Sequence, residues 1–173
     1  AGALPGGLSL TSNGASATLC GTPNRVGRYP FTVKVLARSD APTPTQKSYS
    51  VVIADPAATT LITHYYVSIL EREPDADGLA YWQGLIAELQ GRGQDAKPVF
   101  RDMANFFFNS PEYLGRNTTD RQFITNLYLT FFQREPDEGG SAFWLEQLAS
   151  GMVRNTAMAG FLYSQEFTDF MLG

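Results

Sequence analysis

Eleven residues of this chain occur twice. Arg72-Glu73-Pro74-Asp75-Ala76-Asp77-Gly78-Leu79-Ala80-Tyr81-Trp82 returns 62 positions later as Arg134-Glu135-Pro136-Asp137-Glu138-Gly139-Gly140-Ser141-Ala142-Phe143-Trp144, with seven of the eleven positions identical. Both tryptophans of the chain fall in register. Chance does not produce such a match. A segment repeated at this period is an architectural unit, whose copies bury against each other the apolar faces that neither buries alone. It points away from a single catalytic centre and toward a scaffold or binding module.

Around the repeated segment, residues 56–173 read as helical. Asp55-Pro56 marks the boundary, with the proline placed to begin a helix. Ile62, Tyr66, Ile69 and Leu70 share one helical face, as do their counterparts Ile124, Tyr128, Phe131 and Phe132. A second helix follows each Arg-Glu-Pro-Asp segment. It carries Tyr81, Trp82, Leu85, Ile86 and Leu89 in the first copy and Phe143, Trp144, Gln147 and Leu148 in the second. Gly91-Arg92-Gly93 and Gly151 end these helices. A third helix carries Val99, Phe100, Met103, Phe107 and Phe108, then Ala157, Met158, Phe161 and Leu162 in copy two. It stops near Asn109-Ser110-Pro111-Glu112-Tyr113, echoed 54 residues later by Tyr163-Ser164-Gln165-Glu166-Phe167. The shorter offset makes copy one eight residues longer, in the Leu89–Lys97 stretch.

Residues 1–55 read as β. Phe31, Val33, Val35 and Ala37 alternate with Thr32, Lys34, Leu36 and Arg38, and Tyr49, Val51 and Ile53 alternate with Ser48, Ser50 and Val52. Leu8–Leu10 and Ala17–Cys20 are shorter strand candidates, separated by Thr11-Ser12-Asn13-Gly14, where Asn-Gly favours a tight turn. Gly21-Thr22-Pro23 and Asp40-Ala41-Pro42-Thr43-Pro44 interrupt the strands, because proline cannot donate to a ladder. Four strands leave open edges and an uncovered apolar face. An upstream piece, the helical half or a neighbouring subunit could cover them. The last of these is strand addition between subunits.

Composition narrows the function classes. At 43% hydrophobic and 17% charged residues the chain is a packed globular protein, not a disordered one. Its net charge of −4 argues against nucleic acid as the main partner. Residues 1–55 carry a net +3 and residues 56–173 a net −7, halves of opposite sign that could attract head to tail. No apolar run is long enough to span a bilayer. No basic–apolar–small leader opens the chain, and Ala1-Gly2-Ala3-Leu4-Pro5 reads as the inside of a domain, so a processed or trimmed N-terminus is expected. The single Cys20 is an ordinary thiol in a reducing compartment and a candidate intermolecular disulfide in a secreted protein.

The repeated segment supports three readings. In the first, Asp75 and Asp137 are helix N-caps, Gly78 and Gly140 allow a close approach, and Trp82 and Trp144 anchor the new helix. In the second, Arg72 pairs with Glu112 and Arg134 with Glu166, each joining helix one to the end of helix three. In the third, Asp75-Ala76-Asp77-Gly78 begins a calcium loop. Position twelve of that loop is Ile86 where a bidentate Glu is needed, and Asp77 becomes Gly139 in the second copy. Catalysis finds little support. His64 is the only histidine and its counterpart is Asn126. No nucleophile motif, metal-ligand Cys/His spacing or phosphate loop is present. Asn117-Thr118-Thr119 fits a glycosylation sequon, and fits better a polar loop capping a helix that begins near Asp120. Aromatic residues make up 13% of the chain, and Phe106-Phe107-Phe108 and Phe131-Phe132 cannot all face one core from a helix. A two-repeat core that buries several helix faces at once is the favoured reading, and an exposed aromatic patch would instead mark a protein or glycan contact.

Two resemblances follow from these motifs. Leu4-Pro5-Gly6-Gly7-Leu8-Ser9-Leu10, Gly21-Thr22-Pro23 and Gly27-Arg28-Tyr29-Pro30-Phe31-Thr32-Val33 resemble the immunoglobulin-like domains of bacterial exoproteins. Those have further strands before the Leu-Pro segment, and a full sandwich needs about seven. The tandem unit, Tyr66 to Trp82 closing at Ser110-Pro111-Glu112-Tyr113 and Tyr128 to Trp144 closing at Ser164-Gln165-Glu166-Phe167, resembles a bacterial domain of unknown function. That domain occurs in surface-layer, calcium-repeat and adhesin-like exoproteins and is distantly similar to phycobilisome linker domains. The resemblance implies an extracellular, non-catalytic setting. The expectation is an α+β multidomain chain: a partial immunoglobulin-like β-sandwich over 1–55, then an all-α tandem repeat over 56–117 and 118–173. The expected role is a self-assembling subunit of a bacterial surface filament or layer, with another copy or a neighbouring surface protein as partner. A glycan- or protein-binding module of a larger adhesin or enzyme is the alternative. No cofactor is expected beyond the calcium considered at Asp75 and Asp77.

Overall fold

The computed structural model describes residues 3–13, 16–35 and 45–170. The expected turn at Gly14, the strand end at Leu36–Arg38 and the break at Asp40–Pro44 lie outside them. The described residues form a mixed α and β protein with two small antiparallel sheets and eight helices. They group into two compact units. One comprises residues up to Thr59 together with Ala76–Ala96, and the other Thr60–Asp75 with the chain from Lys97 onward.

In the first unit the strands make two separate ribbons. β1 (Leu8–Ser12) pairs with β2 (Ala17–Gly21), setting Leu10 opposite Leu19. β3 (Gly27–Val35) pairs with β4 (Thr45–Ile53), setting Phe31 opposite Tyr49, and the two rings stack at 5.7 Å. Gly7 and Gly21 adopt positive φ, and a Cβ on either would lie 2.1 Å from a backbone oxygen of the facing segment. Only glycine fits such a crossing, which gives the Leu-Pro-Gly-Gly and Gly-Thr-Pro motifs their reason. The helix α2 (Ala76–Gly91) belongs with these strands. Gly84 and Gly91, two helical turns apart, lie on one face of it. A Cβ at Gly91 would come within 3.0 Å of Gly27 Cα, and Gly84 faces Arg28. Arg25 donates to the Gly91 carbonyl at 3.3 Å, and Gln90 donates to Asp55 at 2.9 Å.

The second unit is helical. The helix α1 (Pro56–Leu70) joins it from Thr60, followed by α3 (Lys97–Phe108), α4 (Pro111–Leu114), α5 (Asp120–Phe132), α6 (Glu138–Ala149), α7 (Arg154–Leu162) and α8 (Gln165–Phe170). Local chemistry sets the ends. Thr119 and Gln122 form a capping box at the start of α5. Ser110 and Ser164, in equivalent places, accept from the N–H groups of Tyr113 and Phe167 at 3.1 Å and turn the chain into α4 and α8. Glu71 and Gln133, also equivalent, end their helices in the left-handed region. Arg116 reaches back to the carbonyls of Ile69 and Leu70, closing the C-terminal end of α1 with a cation.

The core of this unit is aromatic. Tyr65, Phe107, Phe108, Tyr113, Phe123, Phe131, Phe161 and Phe167 are all buried, several in edge-on contacts. Of the three consecutive phenylalanines Phe106 alone is exposed, as one helix face requires. Ser68 and Thr130 are repeat counterparts, and their hydroxyls hydrogen-bond to each other at 3.0 Å. Arg101 lies against Leu162 and Tyr163, and the counterparts of these three, Asn155, Phe108 and Asn109, line one cavity. Such reciprocal pairs, with Ser68 meeting Thr130 between them, mark an approximate twofold axis between copies. Against α7, Trp144 lies where a Cβ on Gly160 would sit, 2.6 Å from its ring. No helix of the described residues is long and apolar enough to cross a membrane.

Candidate functional site

The repeated segment builds a compact node, complete in the second unit. At the end of α5 the Tyr128 ring lies beneath Arg134, whose guanidinium is 5.0 Å from the ring centre. Arg134 Nε and Nη2 donate to the two carboxylate oxygens of Glu166 at 2.9 and 3.2 Å, a bidentate pair fixing the start of α8 to the turn after α5. Asp137 caps α6, accepting from the Gly140 N–H at 2.8 Å, and stands 3.5 Å from Arg134. A Cβ at Gly140 would lie 2.3 Å from the Tyr128 hydroxyl. The glycine of the motif is therefore the space the tyrosine fills.

Copy one repeats this where its described contacts allow comparison. Arg72 donates to both oxygens of Glu112 at 2.7 and 3.1 Å and lies 5.1 Å over Tyr66. Asp75 is 3.4 Å from Arg72 and directly precedes α2, with Asp77 and Gly78 in its first turn and Trp82 buried one turn on. Trp144 is half-buried. Both Arg–Glu pairs are some four-tenths exposed, more open than a partly buried pair, so each orients the chain more than it stabilises it.

The electrostatics follow the contacts. The hydrogen bond from Arg72 holds the Glu112 carboxyl below its usual range, and the Gly140 N–H does the same for Asp137. Glu166 raises the already high pKa of Arg134. Burial pushes the Tyr128 hydroxyl up, the Asp137 charge adds to this, and a hydrogen bond with the Trp144 indole pulls the other way.

The other candidates lie apart. Cys20 is exposed on β2 as a free thiol. His64 hydrogen-bonds through Nε2 to the Thr130 carbonyl at 3.0 Å. Asn117 is exposed, and its amide reaches the Gly115 carbonyl. Among the described residues no three His, Cys, Asp or Glu side chains gather as metal ligands. In the first unit a cleft of about 450 Å³ is lined by Arg25, Arg28, Tyr29, Glu88 and Arg92. Sequence reading missed Arg116, Gly160 and the Gly84/Gly91 face. The last was signalled by a difference between copies: Gly84 has Glu146 as its counterpart, and Gly91 falls in the stretch by which copy one is longer.

Residues 104–170 match the family model of a domain of unknown function, DUF4214. The matched segment starts inside α3 and ends with α8, so it holds the second node whole. Comparison with curated proteins and with solved structures found no match.

Proposed function

We propose that this chain is a non-catalytic, extracellular subunit of a bacterial surface filament or layer, and that it assembles by strand addition. The β segment is read as a partial immunoglobulin-like domain and the helical copies as its rigid spacer. The observation that carries the reading is the pair of two-stranded ribbons. Among the described residues no third strand extends either ribbon, and two strands alone are marginal in water. Leu10 and Tyr49 remain 48% and 44% exposed on them. An edge of this kind is a template for another chain.

Light scattering on the native chain without reductant, repeated with Cys20→Ser, tests the proposal. A large assembly whose β3–β4 amides resist exchange, with or without Cys20, is the expected result. A monomer of about 19.0 kDa at all concentrations would overturn it.

A second reading has its own observation. Tyr81 and Phe143 are counterparts, 60% and 52% exposed, and each stands edge-on to its tryptophan at 5.0 and 5.1 Å. Rings displayed twice in the same way suit a glycan- or protein-binding module. A monomer that retains a surface glycan through Tyr81 and Phe143 would establish that reading instead.

A further inference from the structure

The approximate twofold axis sets Arg101 and its surroundings beside an equivalent place in the other copy, and there the two copies differ. In the first place, Arg101 of α3 lies across the end of α7. Its Nε donates to the Leu162 carbonyl at 3.0 Å, and its guanidinium sits 4.8 Å from the Tyr163 ring centre and 5.6 Å from that of Phe167. The counterparts of Arg101, Leu162, Tyr163 and Phe167, each 54 residues away, are Asn155, Phe108, Asn109 and Tyr113. These four line an open cavity of about 200 Å³, with Leu114 and Val153 on its exposed rim. The seat that holds a guanidinium in one copy is vacated in the other by an arginine-to-asparagine and a tyrosine-to-asparagine difference.

We propose that this cavity receives the guanidinium group of an arginine presented by another polypeptide. The elements that hold Arg101 persist there in altered form. Tyr113 replaces Phe167 as the ring, and a cation over an aromatic face is attracted by it. Phe108 is the counterpart of Leu162, whose carbonyl accepts from Arg101, and Asn109, whose amide nitrogen donates to the Asn105 carbonyl, keeps its amide oxygen as a further planar acceptor for the guanidinium fork. The volume is below the roughly 300 Å³ at which ligand pockets begin, and suits one side chain rather than a cofactor. Arg154 also lines the cavity, but its charge is engaged. It donates to Asp120 at 2.7 and 3.0 Å and to the Thr118 carbonyl at 2.6 Å, and it lies over Phe123. The helical unit carries seven Lys/Arg against twelve Asp/Glu, a net −5 that favours an incoming cation.

The test is a titration of the native chain with N-acetyl-arginine amide, followed by amide NMR shifts at Asn109, Leu114 and Asn155. The expected result is saturable shifts at those residues, with the neutral isostere N-acetyl-citrulline amide binding at least about tenfold more weakly. The variant Asn109→Tyr with Asn155→Arg, which rebuilds the occupied seat, should lose the shifts and melt at a higher temperature. Absence of saturable shifts in the native chain, or equal binding of the citrulline compound, would overturn the proposal whether or not the variant folds. Tighter binding of free arginine than of the capped form would overturn the polypeptide as its source.

Discussion

Gly140→Ala should destabilise the helical unit although it puts a better helix former into α6. The ideal Cβ lies 2.3 Å from the Tyr128 hydroxyl, 0.7 Å inside the 3.0 Å limit that real Cβ atoms observe. The ring has little freedom to retreat, since Arg134, Phe132 and Phe161 hold it at 5.0, 5.6 and 5.0 Å. Overpacking of this sort costs about 2–3 kcal/mol, and the gain in helix propensity returns at most about 1 kcal/mol. The net loss is about 1–2 kcal/mol. Tyr128→Phe removes the offending oxygen and leaves the ring carbon at 3.3 Å as the nearest Tyr128 atom. That change alone costs about 1 kcal/mol of lost hydroxyl bonding. In its background, Gly140→Ala should be neutral or stabilising. Urea unfolding of the four proteins at a common m-value gives the cycle, with an expected coupling of about 2–3 kcal/mol. Increased stability of Gly140→Ala in the native background, or an equal cost in both backgrounds, would refute the view that the motif glycine exists to admit the tyrosine.

Gly160→Ala should cost about 1–3 kcal/mol and shift the Trp144 fluorescence maximum, because its Cβ would meet the indole ring at 2.6 Å. Gln133→Gly should raise stability by up to about 1 kcal/mol in thermal unfolding, by relieving a left-handed backbone at φ 51°. Arg116→Gln should cost about 1–2 kcal/mol, read by urea unfolding, since it withdraws the cation closing α1. The Glu112 pKa is lowered in the folded chain, so its pairing contributes stability above the ordinary value of 4.5 and loses it as pH falls through the lowered value. The pair is well exposed, so the loss is only about 0.2–1 kcal/mol. Glu112→Gln should abolish that part of the acid limb in pH-dependent unfolding.

The helical copies were legible because the chain carries its own comparison. Each apolar position of α1 and α5 is read twice, and the Arg–Glu pair recurs although the intervening loop changes its separation from 40 residues to 32. The node geometry was half legible. Asp137 announces a cap, but nothing in the spacing says that the Tyr128 hydroxyl fills the hollow at Gly140, since that contact depends on side-chain direction across two helices. The grouping of α2 with the strands was harder to see. Periodicity shows which face of a helix is apolar, not what covers it, and the clue lies in a difference between copies: Gly84 stands against Glu146, and Gly91 falls in the stretch that only copy one has. The two ribbons formed where alternation predicted strands, while alternation alone is silent on whether four strands join into one sheet.

The hydrogen bond between Ser68 and Thr130 has a consequence for how this unit can change. A homodimer must accept every substitution on both sides of its axis at once. Two copies fused into one chain keep their association at any dilution, because the partner is tethered at a fixed effective concentration, and either half can be altered alone. Arg101 and Asn155 differ in a way this freedom permits: in one half an arginine of the chain itself fills the groove, and in the other, under the proposal above, a partner does.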